Sequence, residues 1–443
     1  MGMTVRLRKG FDIKLAGKAA ASITDIPATD IFAVKPTDFQ SLTPKLLIKQ
    51  GDEILAGQAL FFDKANPDIK FPSPVSGEIV DIVRGDKRKV LEIKILADKS
   101  PKNNTTSIPA NLDVESVKNV ISQANLWPIF RQRPFAIIAN PADTPKAIFV
   151  STFDTAPLAP DLGYVIAQNR VAFDKGLAIL DILSGQKLHV GVDARQPLEG
   201  IKNGEVHQFS GPHPAGNVGI QIHHISPVKI GEVAWYIDAQ DVIMLGKLFS
   251  TGTYDPSRMI AITGSEINNP EYLNLRIGQS LSAVYEQYVV GNNVRFIQGN
   301  VLTGTKSHQE DYLSFYTSQL TAIPEGDEPE FLGWLVPSPK KLSLSRALPS
   351  WLMPNKIYKL DTNLHGEERA FVMSGQYEKV LPMNIYPVHL LKSILAKDIE
   401  RMEALGIYEI AEEDMALCEF VCTSKINVQE IVREGLELMR TEV

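Results

Sequence analysis

The chain has 443 residues, a formal net charge of −7 and a hydrophobic content of 44%, so it can form about two to four domains that each bury a core. The acidic balance argues against a nucleic-acid-binding protein, whose contact face is normally basic. Two cysteines cannot build a disulfide framework and fit a reducing compartment. We expect neither a signal peptide nor a membrane-spanning helix, because no uncharged apolar run is long enough.

The first hundred residues consist of short apolar runs separated by turn signals. We expect strands at residues 5–7 and 12–15, and turns at Gly51-Asp52 and Gly57-Gln58. The pattern resembles a barrel-sandwich hybrid domain of the biotinyl/lipoyl type, and Lys64 lies where such a domain carries its modified lysine. One lysine in a hairpin is weak support, so we favour an unmodified Lys64. A soluble carrier or enzyme modified at Lys64 stays the alternative.

Alternating strand and helix patterns follow a polar linker at residues 101–111. Asp113 is a typical N-cap for a helix over residues 114–125. The other predicted elements of this part are strands at 136–139, 147–150 and 188–192 and helices at 161–168 and 171–183. This alternation predicts a Rossmann-like α/β domain with a mostly parallel sheet.

The most unusual stretch covers residues 205–228, which read E-V-H-Q-F-S-G-P-H-P-A-G-N-V-G-I-Q-I-H-H-I-S-P-V. Its glycines and prolines fix the backbone path, and we expect at least one of the glycines to have a positive φ. The β-branched run at 220–225 predicts a strand. Four of the eight histidines lie in this stretch. A metal site, a quinone contact and a purely structural role are all open for them, and the structural role is favoured.

Short strands return at residues 259–262, 294–297 and 301–302, with one helix at 279–287. This combination predicts a β-grasp-like module. Residues 299–307 differ from a P-loop by one extra threonine, and we interpret them as a hairpin turn. The tail is irregular to about residue 387, and helices are then expected at 388–405, closed by Gly406, and at 428–440.

No dinucleotide-binding G-x-G-x-x-G motif occurs in the sequence. Cys418 and Cys422 are too few for an iron–sulfur cluster, and we interpret them as small buried residues. No catalytic residue and no metal site stand out. The segment at 127–135 mixes aromatic side chains with two arginines, so it could form a slot for a quinone ring or simply pack into the core. The candidate quinone-binding residues are Phe130, Arg133, Phe135, His213, His223 and His224.

Five segments together resemble the A subunit of the bacterial Na+-translocating NADH:quinone oxidoreductase. They are R-K-G-F-D-I-K-L-A-G-K from Arg8, F-S-G-P-H-P-A-G-x-x-G-x-x-I-H from Phe209, D-V-I-M-L-G-K-L-F from Asp241, F-L-G-W from Phe331 and E-E-D-M-A-L-C-E-F-V-C from Glu412. Asp154 and Asp161 also resemble a remnant of the flavin and nicotinamide site in the related subunit of complex I, although the glycine-rich loop of that site is missing.

The resemblance implies an α+β multidomain fold. Its expected parts are a barrel-sandwich hybrid domain (1–100), a Rossmann-like α/β domain (101–255), an SLBB-like β-grasp domain (256–329) and a helical C-terminal region (330–443). It also implies a peripheral protein on the cytoplasmic face of the bacterial inner membrane. That protein docks chiefly on the membrane-embedded B subunit, near the site where quinone reacts.

The complex of this family transfers electrons from NADH to ubiquinone or menaquinone and exports Na+. Its cofactors are FAD, FMN, riboflavin and iron–sulfur, and quinone is its substrate. The resemblance implies that the A subunit itself binds none of these cofactors. We therefore expect an isolated chain without redox activity, and a role in which partner subunits matter more than chemistry on this chain.

Overall fold

The computed structural model describes residues 2–327 and 338–442. Its strands form four sheets. The strands are β1 (Thr4–Arg6), β2 (Ile23–Asp25), β3 (Ile31–Val34), β4 (Pro44–Leu46), β5 (Glu53–Ile54), β6 (Ala59–Asp63), β7 (Lys70–Pro72), β8 (Gly77–Arg84), β9 (Val90–Ala97), β10 (Arg131–Arg133), β11 (Ile137–Ile138), β12 (Ile148–Ser151), β13 (Leu188–Asp193), β14 (Glu205–Ser210), β15 (Ala234–Asp238), β16 (Ser257–Thr263), β17 (Tyr272–Arg276), β18 (Val294–Gln298), β19 (Thr305–Ser307) and β20 (Gln319–Pro324).

Most helices pack against the seven-stranded sheet or build the C-terminal region. They are α1 (Val114–Gln123), α2 (Leu162–Gln168), α3 (Arg170–Leu183), α4 (Val218–Ile225), α5 (Ala239–Thr251), α6 (Ser282–Tyr288), α7 (Tyr377–Val380), α8 (Pro387–Leu395), α9 (Ile399–Ala404), α10 (Glu412–Phe420) and α11 (Val428–Glu442). Within the described ranges, no helix combines the length and apolar character needed to cross a bilayer.

The barrel-sandwich hybrid domain consists of two small antiparallel sheets, ordered β3-β9-β8-β5 and β4-β6-β7. Their inward-facing side chains form its core, and the rings of Phe61 and Phe71 stack 4.5 Å apart across β6 and β7. Lys64 follows β6 directly and is exposed. The predicted fold of this part is confirmed, while strands β1 and β2 contribute to the other two sheets.

The α/β domain has a seven-stranded sheet, ordered β1-β14-β13-β12-β15-β10-β11. Its first five strands run parallel, and β10 and β11 are antiparallel additions at one edge. The chain leaves β12 towards β13 and β14 on one side, and then returns through α4 to β15 on the other side. The carboxyl ends of β12 and β15 therefore form a topological switch point, where open α/β sheets commonly bind ligands.

The six-stranded sheet, ordered β19-β18-β20-β16-β17-β2, packs its apolar face against α6. Helix α5 lies between this domain and the α/β domain, and nearly all of its residues are buried. The side chain of Gln240 on α5 accepts a hydrogen bond from Met259 N (2.9 Å) and donates one to Met259 O (2.8 Å). These two bonds fix β16, and with it the six-stranded sheet, beside the switch point.

Most predicted elements are confirmed. Asp113 caps α1 by accepting a hydrogen bond from Ser116 N at 2.8 Å. Residues 299–304 join β18 to β19 as a hairpin turn. The predicted helix at 388–405 is interrupted, because Lys397 has a φ of 55° between α8 and α9. The F-L-G-W segment at 331–334 lies outside the described residues.

Three predicted strands are wrong. Residues 12–15 form only an isolated bridge at Leu15, and 301–302 belong to the hairpin turn. Residues 220–225 are part of helix α4. The helix forms because Val218, Ile222 and Ile225 recur at intervals of three or four and pack against the sheet, whereas Ile220 packs into the C-terminal core. Both faces of α4 are therefore apolar, so its sequence lacks the alternation of apolar and polar faces that predicts a helix.

Candidate functional site

A cavity of about 1010 Å³ opens at the switch point of the α/β sheet. We call it the switch-point cavity. The ends of β12 and β15 supply Asp154, Tyr236 and Asp238, while the other three regions of the chain close it. The lining residues from those regions include Lys35 and Asp38, Arg258 and Tyr316, and Glu412 and Glu413. All four predicted regions therefore meet at this cavity.

Arg131 is the most central cation of the switch-point cavity. Its guanidinium donates to Asp238 Oδ2 at 2.7 Å. It also lies 4.8 Å from the ring centroids of both Tyr236 and Tyr316. Burial raises the pKa of Tyr236 to about 12, so this phenol stays protonated at neutral pH. The two rings and the carboxylate together hold Arg131 in one orientation.

The other cations that line the cavity also have carboxylate partners. Lys35 donates to Asp311 at 2.9 Å, and Lys306 lies 3.6 Å from Glu325. Arg258 pairs with Asp241, and Arg433 pairs with Glu412. Within the described residues, four of the five cations lining the cavity therefore have a close carboxylate partner, and the fifth, Lys306, shares Glu325 with Arg295.

Protein carboxylates also lie at the helix N-termini near the switch point. Asp161 caps α2 by accepting from Tyr164 N at 3.0 Å, and Asp238 precedes α5. Asp38 and Asp154 lie buried nearby, and burial raises the pKa of both carboxyl groups. A phosphate would meet carboxylates at the positions where nucleotide-binding folds offer free N–H groups. This arrangement disfavours a phosphate-bearing cofactor.

His213 lines the switch-point cavity, and 3% of its surface is exposed. Thr155 Oγ1 accepts a hydrogen bond from Gly216 N at 2.9 Å and is hydrogen-bonded to His213 Nδ1 at 3.1 Å. Burial lowers the pKa of His213 to about 4. The imidazole is therefore neutral at pH 7. Nε2 has no hydrogen-bond partner within the described residues.

The structure places the other five predicted quinone-binding residues away from the cavity lining. Phe130 is wholly buried beside Trp127 and Trp235. Phe135 packs edge-on against Tyr408, with 6.1 Å between the ring centroids. Neither aromatic side chain forms part of an open slot.

Arg133, His223 and His224 hold the C-terminal region against the α/β domain. Arg133 donates to Asp414 Oδ2 at 2.8 Å and to Glu413 Oε1 at 2.7 Å. The other two bonds join His223 Nδ1 to Glu409 Oε2 at 2.7 Å and His224 Nε2 to Pro382 O at 2.9 Å. We call these bonds the C-terminal contact.

The expectation that at least one glycine of the central stretch has a positive φ is confirmed at Gly211, whose φ is 147°. Gly216 and Gly219 do not have a positive φ. A Cβ on Gly216 would lie 2.7 Å from Thr155 N and 2.8 Å from Asp154 Cα, and one on Gly219 would meet the Asp414 carboxylate. These two positions therefore require glycine because neighbouring groups approach closely.

Sequence reasoning did not select Arg131, Tyr236 or Asp238. The available signal was their position, because Asp238 ends an apolar strand directly before a helix, and Asp154 follows the neighbouring strand. The two cysteines are buried as expected, and the Tyr377 hydroxyl donates to Cys422 Sγ at 2.9 Å.

A group of possible metal ligands also forms between β13 and β14. It contains His189, Glu205 and His207, whose ligand atoms lie within 4.8 Å of one another. Met3 N donates to His207 Nδ1 at 3.1 Å, so the proton of neutral His207 is on Nε2, which donates to His189 Nδ1 at 2.9 Å. A metal ion would have to displace that proton, so the hydrogen-bonded arrangement accounts for the group as it stands.

Three family models match the chain. They are described as NqrA N-terminal barrel-sandwich hybrid domain (residues 5–98), NqrA second alpha/beta domain (112–254) and NQRA C-terminal domain (259–309). The A subunit of the Na(+)-translocating NADH-quinone reductase from Neisseria meningitidis serogroup B (strain ATCC BAA-335 / MC58) is 37% identical over 99% of this chain and 100% of its own. The protein of the same name from Yersinia pestis bv. Antiqua (strain Angola) matches equally at 37% over 99% and 100%.

A solved structure, an NAD+-reducing [NiFe]-hydrogenase in the air-oxidized state, overlaps 74% of this chain and 61% of its own chain. The sequence identity is 11% and the TM-score is 0.40, a likeness too low to bear on fold or function.

Proposed function

Because the chain belongs to the A-subunit family of the Na+-translocating NADH-quinone reductases, we propose that it is the corresponding component of such a complex. The complex would transfer electrons from NADH to ubiquinone or menaquinone and export Na+. The observation that carries this proposal is the match at 37% identity over 99% of the chain and the whole of the relative, which leaves no region unaccounted for.

The chain binds no redox cofactor of its own in our proposal. The neutralised cations and the carboxylates at the helix N-termini of the switch-point cavity support this view, because FAD and FMN carry phosphate. Two cysteines are too few to bind an iron–sulfur cluster, which commonly takes four thiolates. The FAD, the FMN and the cluster of the complex would therefore be bound by its other subunits.

The proposed location is peripheral, on the cytoplasmic face of the inner membrane and chiefly on the membrane-embedded B subunit. Since no helix in the described ranges can cross a bilayer, attachment through partner subunits accounts for a membrane role. Quinone would react near this docking site. Among the six predicted quinone-binding residues, His213 is the best placed for contact, because it lines the cavity and its Nε2 has no hydrogen-bond partner within the described residues.

Co-purification from membranes tests the assignment. A tagged chain expressed with the other subunits should be recovered with them from detergent-solubilised membranes, and the chain released from the complex should show no visible flavin absorbance. Recovery of the chain alone, or a flavin band that survives gel filtration, would contradict the proposal. Intact mass tests the alternative, since a lipoyl or biotinyl adduct on the exposed Lys64 would indicate a carrier.

The quinone contact needs a separate measurement. His213→Gln keeps a hydrogen-bonding side chain in the cavity, whereas His213→Ala removes it. If His213 binds quinone, the alanine variant of the assembled complex should have a higher KM for quinone than the glutamine variant at similar recovery of the complex. Equal KM values would assign His213 to the fold alone.

A further inference from the structure

Residues 338–360 have a charge opposite to that of the whole chain. They include five basic residues and no acidic residue, while the chain carries a net charge of −7. Apart from a short 3-10 helix at Pro349–Leu352, the segment has no regular secondary structure. Lys341 is buried and Lys359 pairs with Glu266, so the positive charge that an anionic surface would meet comes chiefly from Lys340, Arg346 and Lys356.

Large apolar side chains on the same segment point into solvent. The exposed fractions are 54% for Trp351, 63% for Leu352 and 64% for Ile357. The guanidinium of Arg346 lies 5.8 Å from the centroid of the Trp351 ring, so a cation and an exposed aromatic ring are adjacent. Exposed apolar side chains beside basic ones are typical of proteins that lie at a membrane surface.

The segment is attached to the body of the protein at Tyr358 and also at Pro354, whose carbonyl oxygen accepts a hydrogen bond from Lys14 Nζ at 2.9 Å. Tyr358 is 4% exposed, and its backbone hydrogen-bonds to Lys14 O at 2.8 Å and Ala16 N at 2.9 Å. A groove of about 360 Å³ lies beside it, lined by Ile357, by three lysines and by Asp361. Lys359 pairs with Glu266 at 2.7 Å, so Lys340 and Lys356 are the ammonium groups that the groove offers to a phospholipid headgroup beside its apolar wall.

We propose that residues 338–360 form a basic and apolar surface that contacts anionic phospholipid headgroups of the membrane. The inference rests on the proposed function, which places the chain beside a bilayer. A protein partner fits less well, because lysine is depleted from the cores of protein interfaces, whereas lysine is favoured beside anionic lipid headgroups. The contact would orient the chain in addition to its attachment to the B subunit.

Vesicle flotation of the purified full chain tests the proposal. The probes are vesicles of phosphatidylglycerol mixed with phosphatidylcholine, and vesicles of phosphatidylcholine alone. We expect binding to the anionic vesicles at low salt and its loss at about 1 M salt, where the Debye length falls to about 3 Å. Equal binding to both vesicle types, or no binding to either, would overturn the proposal.

Two triple variants separate this surface from charge in general. K340Q/R346Q/K356Q should lower the vesicle partition constant roughly ten- to a hundredfold, because each lost charge near the bilayer weakens binding severalfold. K87Q/R88Q/K89Q removes the same charge from the exposed turn between β8 and β9 and should bind as the wild type does. Equal losses in the two triples would contradict the proposal. W351S/L352S should weaken binding without changing its dependence on salt.

Co-purification distinguishes the failure of this inference from the failure of the proposed function. If the chain is recovered with the other subunits but does not bind anionic vesicles, the lipid contact is refuted and the proposed function still stands. If K340Q/R346Q/K356Q binds vesicles normally but loses the other subunits, residues 338–360 form a protein interface and the lipid proposal is wrong. The replaced side chains are exposed or half-buried, so a matching melting temperature should verify the fold of each variant.

Discussion

Arg131 and Arg133 lie two residues apart on β10, yet they belong to two different regions of the molecule. Arg131 faces the switch-point cavity and pairs with Asp238, whose side chain is 45% exposed. Arg133 belongs to the C-terminal contact and pairs with Asp414, and both of those side chains are 0% exposed. Water can replace a lost partner in the cavity but not in the contact. Charge in the cavity can therefore act on a ligand, while charge in the contact holds domains together.

The largest expected effect is the loss of Arg133. Arg133→Ala would leave Asp414 buried without a cation, which typically costs about 3–5 kcal/mol. Arg131→Ala is the matched control, and it should lower the free energy of unfolding by only about 1–2 kcal/mol because Asp238 stays hydrated. Denaturant unfolding of the two variants measures both values. Equal losses would show that burial does not separate the two regions.

The buried neutral state of His213 should make its contribution to the free energy of unfolding depend on pH. The pKa of His213 falls to about 4 in the folded chain, whereas a free imidazole titrates near 6.5. Between these values the unfolded chain binds the extra proton, so the stability present above pH 6.5 is lost as the pH falls towards 4. The full shift corresponds to roughly 3 kcal/mol. The difference in unfolding free energy between the wild type and a variant without His213, measured from pH 7 to pH 4, isolates this loss, because the raised pKa values of Glu413 and Asp241 act in the opposite direction over the same range.

A histidine variant assigns the pH effect to His213. His213→Gln should flatten the fall in stability between pH 6.5 and 4. His389→Gln is the control, because it removes an exposed histidine and should leave the profile unchanged. If the glutamine variant at position 213 keeps the full acid sensitivity, another group is responsible.

Gly216 tests how closely the central stretch approaches the end of β12. Gly216→Ala would bring a Cβ against the backbone of Asp154 and Thr155, which cannot move aside cheaply. We expect a loss of about 1–3 kcal/mol, as for other overpacked sites. Gly163→Ala is the control, since its Cβ would meet only Asp161 Oδ1 at 3.2 Å within the first turn of α2. A stable Gly216→Ala variant would show that the stretch can shift away from the cavity.

The sequence predicted the domain types well, because short alternating strands and capped helices are local patterns. Asp113 and Gly406 marked helix ends through side-chain and backbone chemistry that acts over a few residues. Helix α4 was missed because its two sides face two different cores, so its apolar residues showed no helical period. Tertiary packing decided the conformation there.

The candidate site was less predictable for a related reason. Residues as distant as Lys35, Arg131, Asp311 and Glu413 line the same cavity, and nothing local in the sequence shows that they meet. Residues were selected for their chemistry, and this favoured Arg133 and His223 in the C-terminal contact over Arg131 in the cavity. The order of the strands identifies the cavity, and pairing between distant strands is not readable from one sequence.

The smallest expected effect concerns the start of α2, which we call the rim because Pro160 and Leu162, on either side of Asp161, line the cavity. Asp161 accepts a hydrogen bond from Tyr164 N at 3.0 Å, so Asp161→Ala should cost about 1 kcal/mol of stability through the lost cap. Asp161→Asn keeps the acceptor and removes the charge. Asparagine caps as well as aspartate, so this variant should unfold close to the wild-type midpoint.

The pair of substitutions at Asp161 separates two roles for one carboxylate. If Asp161→Asn is as unstable as Asp161→Ala, the negative charge itself stabilises the start of α2. Charge at the rim would then contribute to stability, as it does in the C-terminal contact. If only the alanine variant is destabilised, the hydrogen bond is sufficient. The negative charge at the rim would then matter chiefly for excluding anions from the cavity, because an aspartate repels phosphate where an asparagine does not.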